Sequence, residues 1–78
     1  MDKTPWNRVI LDEFCSLALL TPLEENIIRT RAAGWSRVKQ CHAFGVSLAT
    51  LDRIIKRLRE EYQSACEYSY ILPHNIDF

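Results

Sequence analysis

The sequence predicts an all-α fold: a small four-helix domain with an extended C-terminal tail. Three Ser or Thr residues, at positions 21, 36 and 47, are of the type that caps helix N-termini, and two glycines follow at positions where helices should end. Apolar residues repeat at intervals of three and four along most of the chain. At 78 residues, 47% of them hydrophobic, the chain is long enough for one core and too apolar for a disordered protein. We therefore treat residues 1–78 as a single domain.

The first predicted helix covers residues 5–19. Thr4 is its predicted N-cap, and Pro5 suits the first helical position, where no backbone N–H is needed. The stripe expected to face the core consists of Trp6, Val9, Ile10, Phe14 and Leu17. Leu11, Cys15, Leu19 and Leu20 widen this stripe, which predicts a second apolar contact, with another copy of the chain as one candidate.

The second predicted helix covers residues 22–33. Thr21 is its N-cap, Pro22 its first residue, and Glu24 is placed to complete a capping box. Gly34 is expected to end the helix in a left-handed conformation. The predicted apolar side consists of Leu23, Ile27, Ile28 and Ala32.

Residues 36–58 have the layout of a helix-turn-helix. Ser36 can cap a third, short helix that ends near Phe44, and Gly45 can supply the turn. Ser47 can cap a fourth helix that runs to about residue 65. Its apolar residues are Leu51, Ile54, Ile55, Leu58, Tyr62 and Ala65, the strongest helical repeat in the chain. A unit of this kind can place its second helix in a DNA major groove.

Residues 67–78 lack a helical period and include Pro73, so they are predicted to form an extended tail. This tail is too apolar for a solvated linker. The residues expected to fold back onto the domain or onto another chain are Tyr68, Tyr70, Ile71, Leu72, Ile76 and Phe78. With the first helix, the tail predicts a homodimer.

The formal net charge of zero hides three blocks of opposite sign. Residues 1–28 contain two basic and five acidic residues, residues 29–59 eight and one, and residues 60–78 none and four. Charge blocks often mark a merely solvated surface. Here the basic block coincides with the helix-turn-helix, which favours a polyanionic partner.

The outward side of the fourth helix supplies the candidate base contacts: Leu48, Ala49, Thr50, Asp52 and Arg53. Arg53 is the leading candidate because its planar guanidinium can contact guanine O6 and N7 together. Asp52 can accept a hydrogen bond from cytosine N4. The candidate phosphate contacts are Arg29, Arg31, Ser36, Arg37, Lys39, Ser47, Lys56 and Arg57.

Other chemistries have little support in the sequence. Cys15, Cys41 and Cys66 form no Cys-x-x-Cys pair, so neither disulfides nor a metal site is indicated, and no cofactor motif is present. Cys41 and His42 are adjacent on a helix and point about 100° apart, which makes them poor partners for catalysis. The sequence shows neither a signal peptide nor a membrane span. We expect a cytoplasmic protein that is not an enzyme.

From Leu20 to Tyr62 the chain resembles the helix-turn-helix of LuxR/GerE-type regulators and the related region four of bacterial sigma factors. The matching residues are Leu20, Thr21, Glu24, Ile27, Ile28, Ala32, Gly34, Ser36, Phe44, Gly45, Val46, Ser47, Thr50, Leu51 and Leu58. The chain departs from the pattern at Gln40 and Cys41, where the family has an aliphatic residue and alanine. Val38 is then the expected substitute in the core. The resemblance implies sequence-directed binding of double-stranded DNA in transcription control, often by a dimer, as in a small bacterial or phage regulator.

The same scaffold also serves protein recognition, because a fold does not determine a function. The alternative hypothesis is therefore a protein–protein interaction module that docks on RNA polymerase or assists phage packaging or recombination. Its contact surfaces would be the acidic flanks and the apolar tail.

Overall fold

The computed structural model describes residues 3–78, which form four helices: α1 (Arg8–Ala18), α2 (Pro22–Ala32), α3 (Arg37–Phe44) and α4 (Leu48–Cys66). The predicted all-α, four-helix class is confirmed. No strand forms within residues 3–78. Thr4 and Ile76 form an isolated parallel β-bridge.

Helix α4 is the centre of the fold, since it packs against each of the other three helices. Its buried residues are Leu51, Ile55, Leu58, Tyr62, Ala65 and Cys66. The predicted apolar repeat is therefore confirmed, with Ile54 only half-buried. The remaining core side chains come from α1, α2 and the C-terminal segment; those of α1 and α2 are Ile10, Phe14, Ile27 and Ile28.

Helix α1 begins later than predicted. Its N-cap is Asn7, whose side-chain oxygen accepts a hydrogen bond of 2.9 Å from the backbone N–H of Ile10. The predicted cap at Thr4 is wrong because Thr4 pairs with the C-terminal segment: its N–H donates to the Asn75 carbonyl at 2.8 Å, and its carbonyl accepts from the N–H of Asp77 at 2.7 Å. These long-range bonds fix Thr4 outside the helix.

The core-facing side of α1 also differs from the predicted stripe. Ile10 and Phe14 are buried, one helical turn apart, but Val9 is 63% exposed and Leu17 is 41% exposed. Those two positions were wrongly predicted to be in the core. Leu11 and Cys15 pack against the core instead and turn Val9 and Leu17 toward solvent.

The capping box of α2 is confirmed. The Glu24 N–H donates to Thr21 Oγ1 at 3.2 Å, and Glu24 Oε1 accepts from the Thr21 N–H at 2.9 Å. Glu24 is also buried, whereas Leu23, which was wrongly predicted to be in the core, is exposed. Gly34 follows the helix with φ of +90°, the conformation that the sequence predicts.

In α3 the core position belongs to Gln40 rather than Val38. Gln40 is fully buried and Val38 is 62% exposed, so the predicted substitution of Val38 is wrong. The Gln40 amide nitrogen donates to the Ile27 carbonyl and to Thr30 Oγ1, both at 2.9 Å. These two bonds satisfy the amide nitrogen, whereas Gln40 Oε1 is buried without a hydrogen-bond partner among residues 3–78.

The C-terminal residues after α4 return to the domain. Leu72 and Ile76 are buried, and the Tyr62 hydroxyl donates to the Pro73 carbonyl at 2.6 Å. The Phe78 ring lies 5.5 Å from that of Trp6 between centroids, in an edge contact. Other apolar residues of this segment are exposed: Tyr68, Tyr70 and Ile71.

Candidate nucleic-acid interface

Helices α3 and α4 are joined by three residues, and we call Ser36–Cys66 the α3–turn–α4 unit. Gly45 has φ of +64° and donates its N–H to the Cys41 carbonyl. A Cβ at Gly45 would meet no atom within 4 Å, so the backbone conformation, not space, favours glycine here. The two predicted serine caps are present: Ser36 Oγ accepts from Lys39 N, and Ser47 Oγ accepts from Thr50 N, each at 3.1 Å.

The candidate base contacts lie at the start of α4 and differ in exposure and in hydrogen bonding. Leu48, Ala49 and Arg53 are exposed, and Thr50 is half-buried. The Thr50 hydroxyl accepts a 3.0 Å hydrogen bond from Ser47 Oγ, so it takes part in the helix cap. Leu48 and Ala49 therefore present free apolar surface, and Arg53 a free cation.

The cations along α4 differ in their partners. Arg53 and Lys56 are exposed and make no hydrogen bond or ion pair within residues 3–78. Arg57 Nε lies 3.3 Å from an oxygen of the buried Glu24 carboxylate. Arg59, the fourth cation of α4, makes no ion pair within residues 3–78 and lies over the Phe78 ring. Three of the four α4 cations are thus without an acidic partner among the described residues.

Both arginines of α2 donate hydrogen bonds to other groups of the protein. Arg29 donates to Glu25 and to Asp12, each at 3.2 Å, at the contact between α1 and α2. The bond to Glu25 is the main reason that the pKa of Arg29 is raised. Arg31 donates from Nε to the Phe78 carbonyl at 2.9 Å. Arg29 is therefore not brought together with the cations of α4, whereas Arg31 is.

A cleft of about 300 Å³ lies where α2, α3 and α4 meet, and we call it the basic cleft. Its lining consists of Arg31, Arg37, Asp52, Ile55, Lys56 and Arg59. Arg37 forms a two-pronged pair with Asp52, with Nε 3.0 Å from Oδ1 and Nη2 2.6 Å from Oδ2. Four cationic side chains thus surround one carboxylate side chain in the cleft lining, which makes this surface positive.

Lys39 lies over the Trp35 ring beside the start of α3. The Trp35 and Phe44 rings are stacked with centroids 6.3 Å apart, and Lys39 Nζ lies 4.1 Å from the Trp35 ring centroid. A cation over an indole face is attracted by the ring quadrupole. Lys39 has this ring contact and no acidic partner among residues 3–78.

Arg59, which lines the basic cleft, and Trp35, which contacts Lys39, were not among the predicted site residues. Arg59 could have been found by spacing, because it follows Lys56 by three positions and Asp52 by seven and so shares their side of α4. The contact of Trp35 with Lys39 depends on the loop between α2 and α3, for which the sequence carries no periodic signal.

No group of three or more His, Cys, Asp or Glu residues in residues 3–78 is placed to hold a metal ion. None of the helices of residues 3–78 is long and apolar enough to cross a membrane. Neither protein-family models, nor curated proteins, nor solved structures match this chain.

Proposed function

We propose that this protein binds double-stranded DNA with α4 in the major groove, as a small sequence-directed regulator of bacterial or phage transcription. One observation carries the proposal: the outer side of the first half of α4 is exposed and bears Arg53 and Lys56 without acidic partners among residues 3–78. Such a side is suited to a polyanion because neither of these two cations has to leave an internal ion pair first.

The packing of α4 supports this use. The major groove is about 12 Å wide and admits one helix, so a reading helix needs one side fixed to the domain and the other free. Leu51, Ile55 and Leu58 fix α4 to the core. In this arrangement Arg53 would contact guanine, and Lys56, Arg57 and Arg37 would contact phosphates on either side of the groove.

Arg53→Ala tests the proposal directly. A duplex is first selected from a random pool, and its affinity is then measured by fluorescence anisotropy across a series of salt concentrations. Binding should fall steeply with salt, with a log–log slope of about −0.9 per neutralised phosphate. Arg53→Ala should weaken binding to the selected duplex by about 1–3 kcal/mol, because a two-pronged guanine contact is lost.

Arg8→Ala is the matched control, since Arg8 is a highly exposed arginine on α1 that pairs with Asp12 only at 3.7 Å. It should leave the affinity almost unchanged. If the wild-type protein fails to bind any member of the duplex pool at low salt, DNA binding is rejected.

A second candidate function, protein recognition, is favoured by the exposed side chains of Tyr68, Tyr70 and Ile71 after α4. Aromatic residues that remain outside the core are typical of protein contact surfaces. Replacing Tyr68 and Tyr70 by Ser, compared with Arg53→Ala plus Arg57→Ala, separates the two functions. Loss of DNA binding in the arginine variant supports the first. Loss of binding to RNA polymerase in the tyrosine variant, with no DNA binding by the wild type, supports the second.

A further inference from the structure

We propose that the basic cleft binds one phosphate group, and that Asp52 occupies the phosphate position on Arg37 while the protein is unbound. The ligand class is a phosphate oxyanion. That this phosphate belongs to a DNA backbone rests on the proposed function. The proposal adds Arg59 to the interface and gives Asp52 a role that opposes binding instead of reading a base.

The cleft is built from three helices whose cations converge. Arg31 comes from the end of α2, Arg37 is the first residue of α3, and Lys56 lies in the middle of α4. Asp52, Lys56 and Arg59 follow one another at intervals of four and three along one side of α4. The buried side chain of Ile55 forms an apolar part of the lining.

The pair between Arg37 and Asp52 has the geometry of a phosphate contact. A guanidinium presents two parallel N–H donors that match a carboxylate and a phosphate equally well. The two side chains are 46% and 50% exposed, so their ion pair is well solvated and contributes little to stability. A phosphate can therefore replace the Asp52 carboxylate on Arg37 at small cost.

The C-terminal segment holds two other cations of the cleft in place. The Phe78 carbonyl accepts from Arg31 Nε at 2.9 Å, and the Arg59 guanidinium lies 5.8 Å from the centroid of the Phe78 ring. Lys56 makes no ion pair within residues 3–78. Asp52 is thus the acidic side chain in the cleft lining.

The charge balance predicts what removal of Asp52 does. Asp52→Asn keeps the shape of the side chain and removes its charge, so Arg37 becomes free for the phosphate. We expect the variant to bind the duplex about tenfold more tightly at 0.1 M salt. Its log–log salt slope should stay close to the wild-type value, because the same phosphate is bound in both proteins.

Asp12→Asn is the matched control because Asp12 has similar exposure and also pairs with an arginine, Arg29, at the remote α1–α2 contact. It removes the same charge and should change the affinity far less. Arg37→Ala made in the Asp52→Asn background should cancel the gain. Circular dichroism checks that each variant is folded.

A second readout does not depend on DNA. Pyrophosphate is titrated into the protein while NMR follows the arginine Nε–Hε signals, which should shift for Arg31, Arg37 and Arg59 and more strongly in Asp52→Asn. Duplex binding that Asp52→Asn does not tighten more than Asp12→Asn, or weakens, overturns the inference and leaves the proposed function standing. Pyrophosphate shifts at these arginines without any duplex binding reject the proposed function and support the cleft. Absence of both rejects both.

Discussion

Leu19 ends α1 in a left-handed backbone conformation, with φ of 48° and ψ of 55°, while its side chain is 89% exposed. In that region a Cβ lies close to the following carbonyl oxygen, which costs about 1–2 kcal/mol, and a glycine avoids this cost. An exposed leucine side chain offsets little of this conformational cost through packing. Leu19 is therefore a site where stability can be gained.

Leu19→Gly should raise the free energy of unfolding by about 1 kcal/mol, because the strain relieved exceeds the extra chain entropy of glycine. Urea denaturation measures the change. Ser16→Gly, at an exposed position inside α1, is the control and should lower stability by about 0.5–1 kcal/mol. A Leu19→Gly variant no more stable than the wild type would mean that the leucine side chain has a contact that offsets the strain.

At the scale of elements, Tyr62 ties α4 to the C-terminal segment through its hydrogen bond to the Pro73 carbonyl. Burial is the main reason that the pKa of Tyr62 is raised well above its usual range, and the pKa of the neighbouring Cys66 thiol is raised for the same reason. The folded protein therefore keeps the Tyr62 proton at a pH where the unfolded chain has lost it.

This shift has a defined effect on stability. The contribution of Tyr62 is complete below its unfolded pKa of about 10 and is lost as the pH rises beyond it, by up to about 1.4 kcal/mol per pH unit. The contribution of Cys66 to stability is lost from a lower pH, nearer its unfolded pKa of about 8.5. Stability should therefore start to fall near pH 9 and fall more steeply above pH 10.

Tyr62→Phe should remove the steeper part of this decline, since phenylalanine has no proton to lose, and should cost about 1 kcal/mol at neutral pH through the lost hydrogen bond. Thermal unfolding at several values between pH 7 and pH 11 tests both effects. Tyr70→Phe is the control because Tyr70 is fully exposed, and its curve should follow that of the wild type. An unchanged decline in Tyr62→Phe would assign the effect to other groups.

At the scale of the whole molecule, the two ends of the described chain meet. Thr4 pairs with residues 75 and 77, and Trp6 packs against Phe14, Tyr62 and Phe78 with ring centroids 5.5–6.1 Å apart. This closure buries one side of α1 and leaves Val9 and Leu17 outward. The packing of the two chain ends therefore decides which apolar side chains of α1 stay exposed.

We expect this surface to support a homodimer because exposed apolar side chains favour burial against a partner. Light scattering should give about twice the chain mass of 9.1 kDa at high protein concentration. Val9→Glu combined with Leu17→Glu should give the single-chain mass, since carboxylates would have to be desolvated in the contact. Val38→Glu, an exposed apolar position on α3, is the control. A wild-type protein that stays monomeric at the highest concentration would reject the dimer.

Most of the helical architecture follows from local sequence. The caps at Thr21, Ser36 and Ser47 and the turn at Gly45 depend on contacts within three or four residues, and the apolar repeat of α4 alone identifies its buried side. The exposure of Arg53 follows from that repeat, so the leading candidate of the proposed interface could be predicted in the same way.

The features that required the tertiary structure depend on partners far away in the chain. Pairing with the C-terminal segment moves the start of α1 from Thr4 to Asn7, and acceptors on α2 allow Gln40 into the core. The basic cleft exists only because three helices bring Arg31, Arg37 and Arg59 to one place. The sequence by itself determined which segments are helices and which side of α4 is free, since both are short-range properties. The fold decided which charges pair between helices, such as Arg37 with Asp52 and Arg57 with Glu24, because those pairs depend on distance in space and not on spacing along the chain.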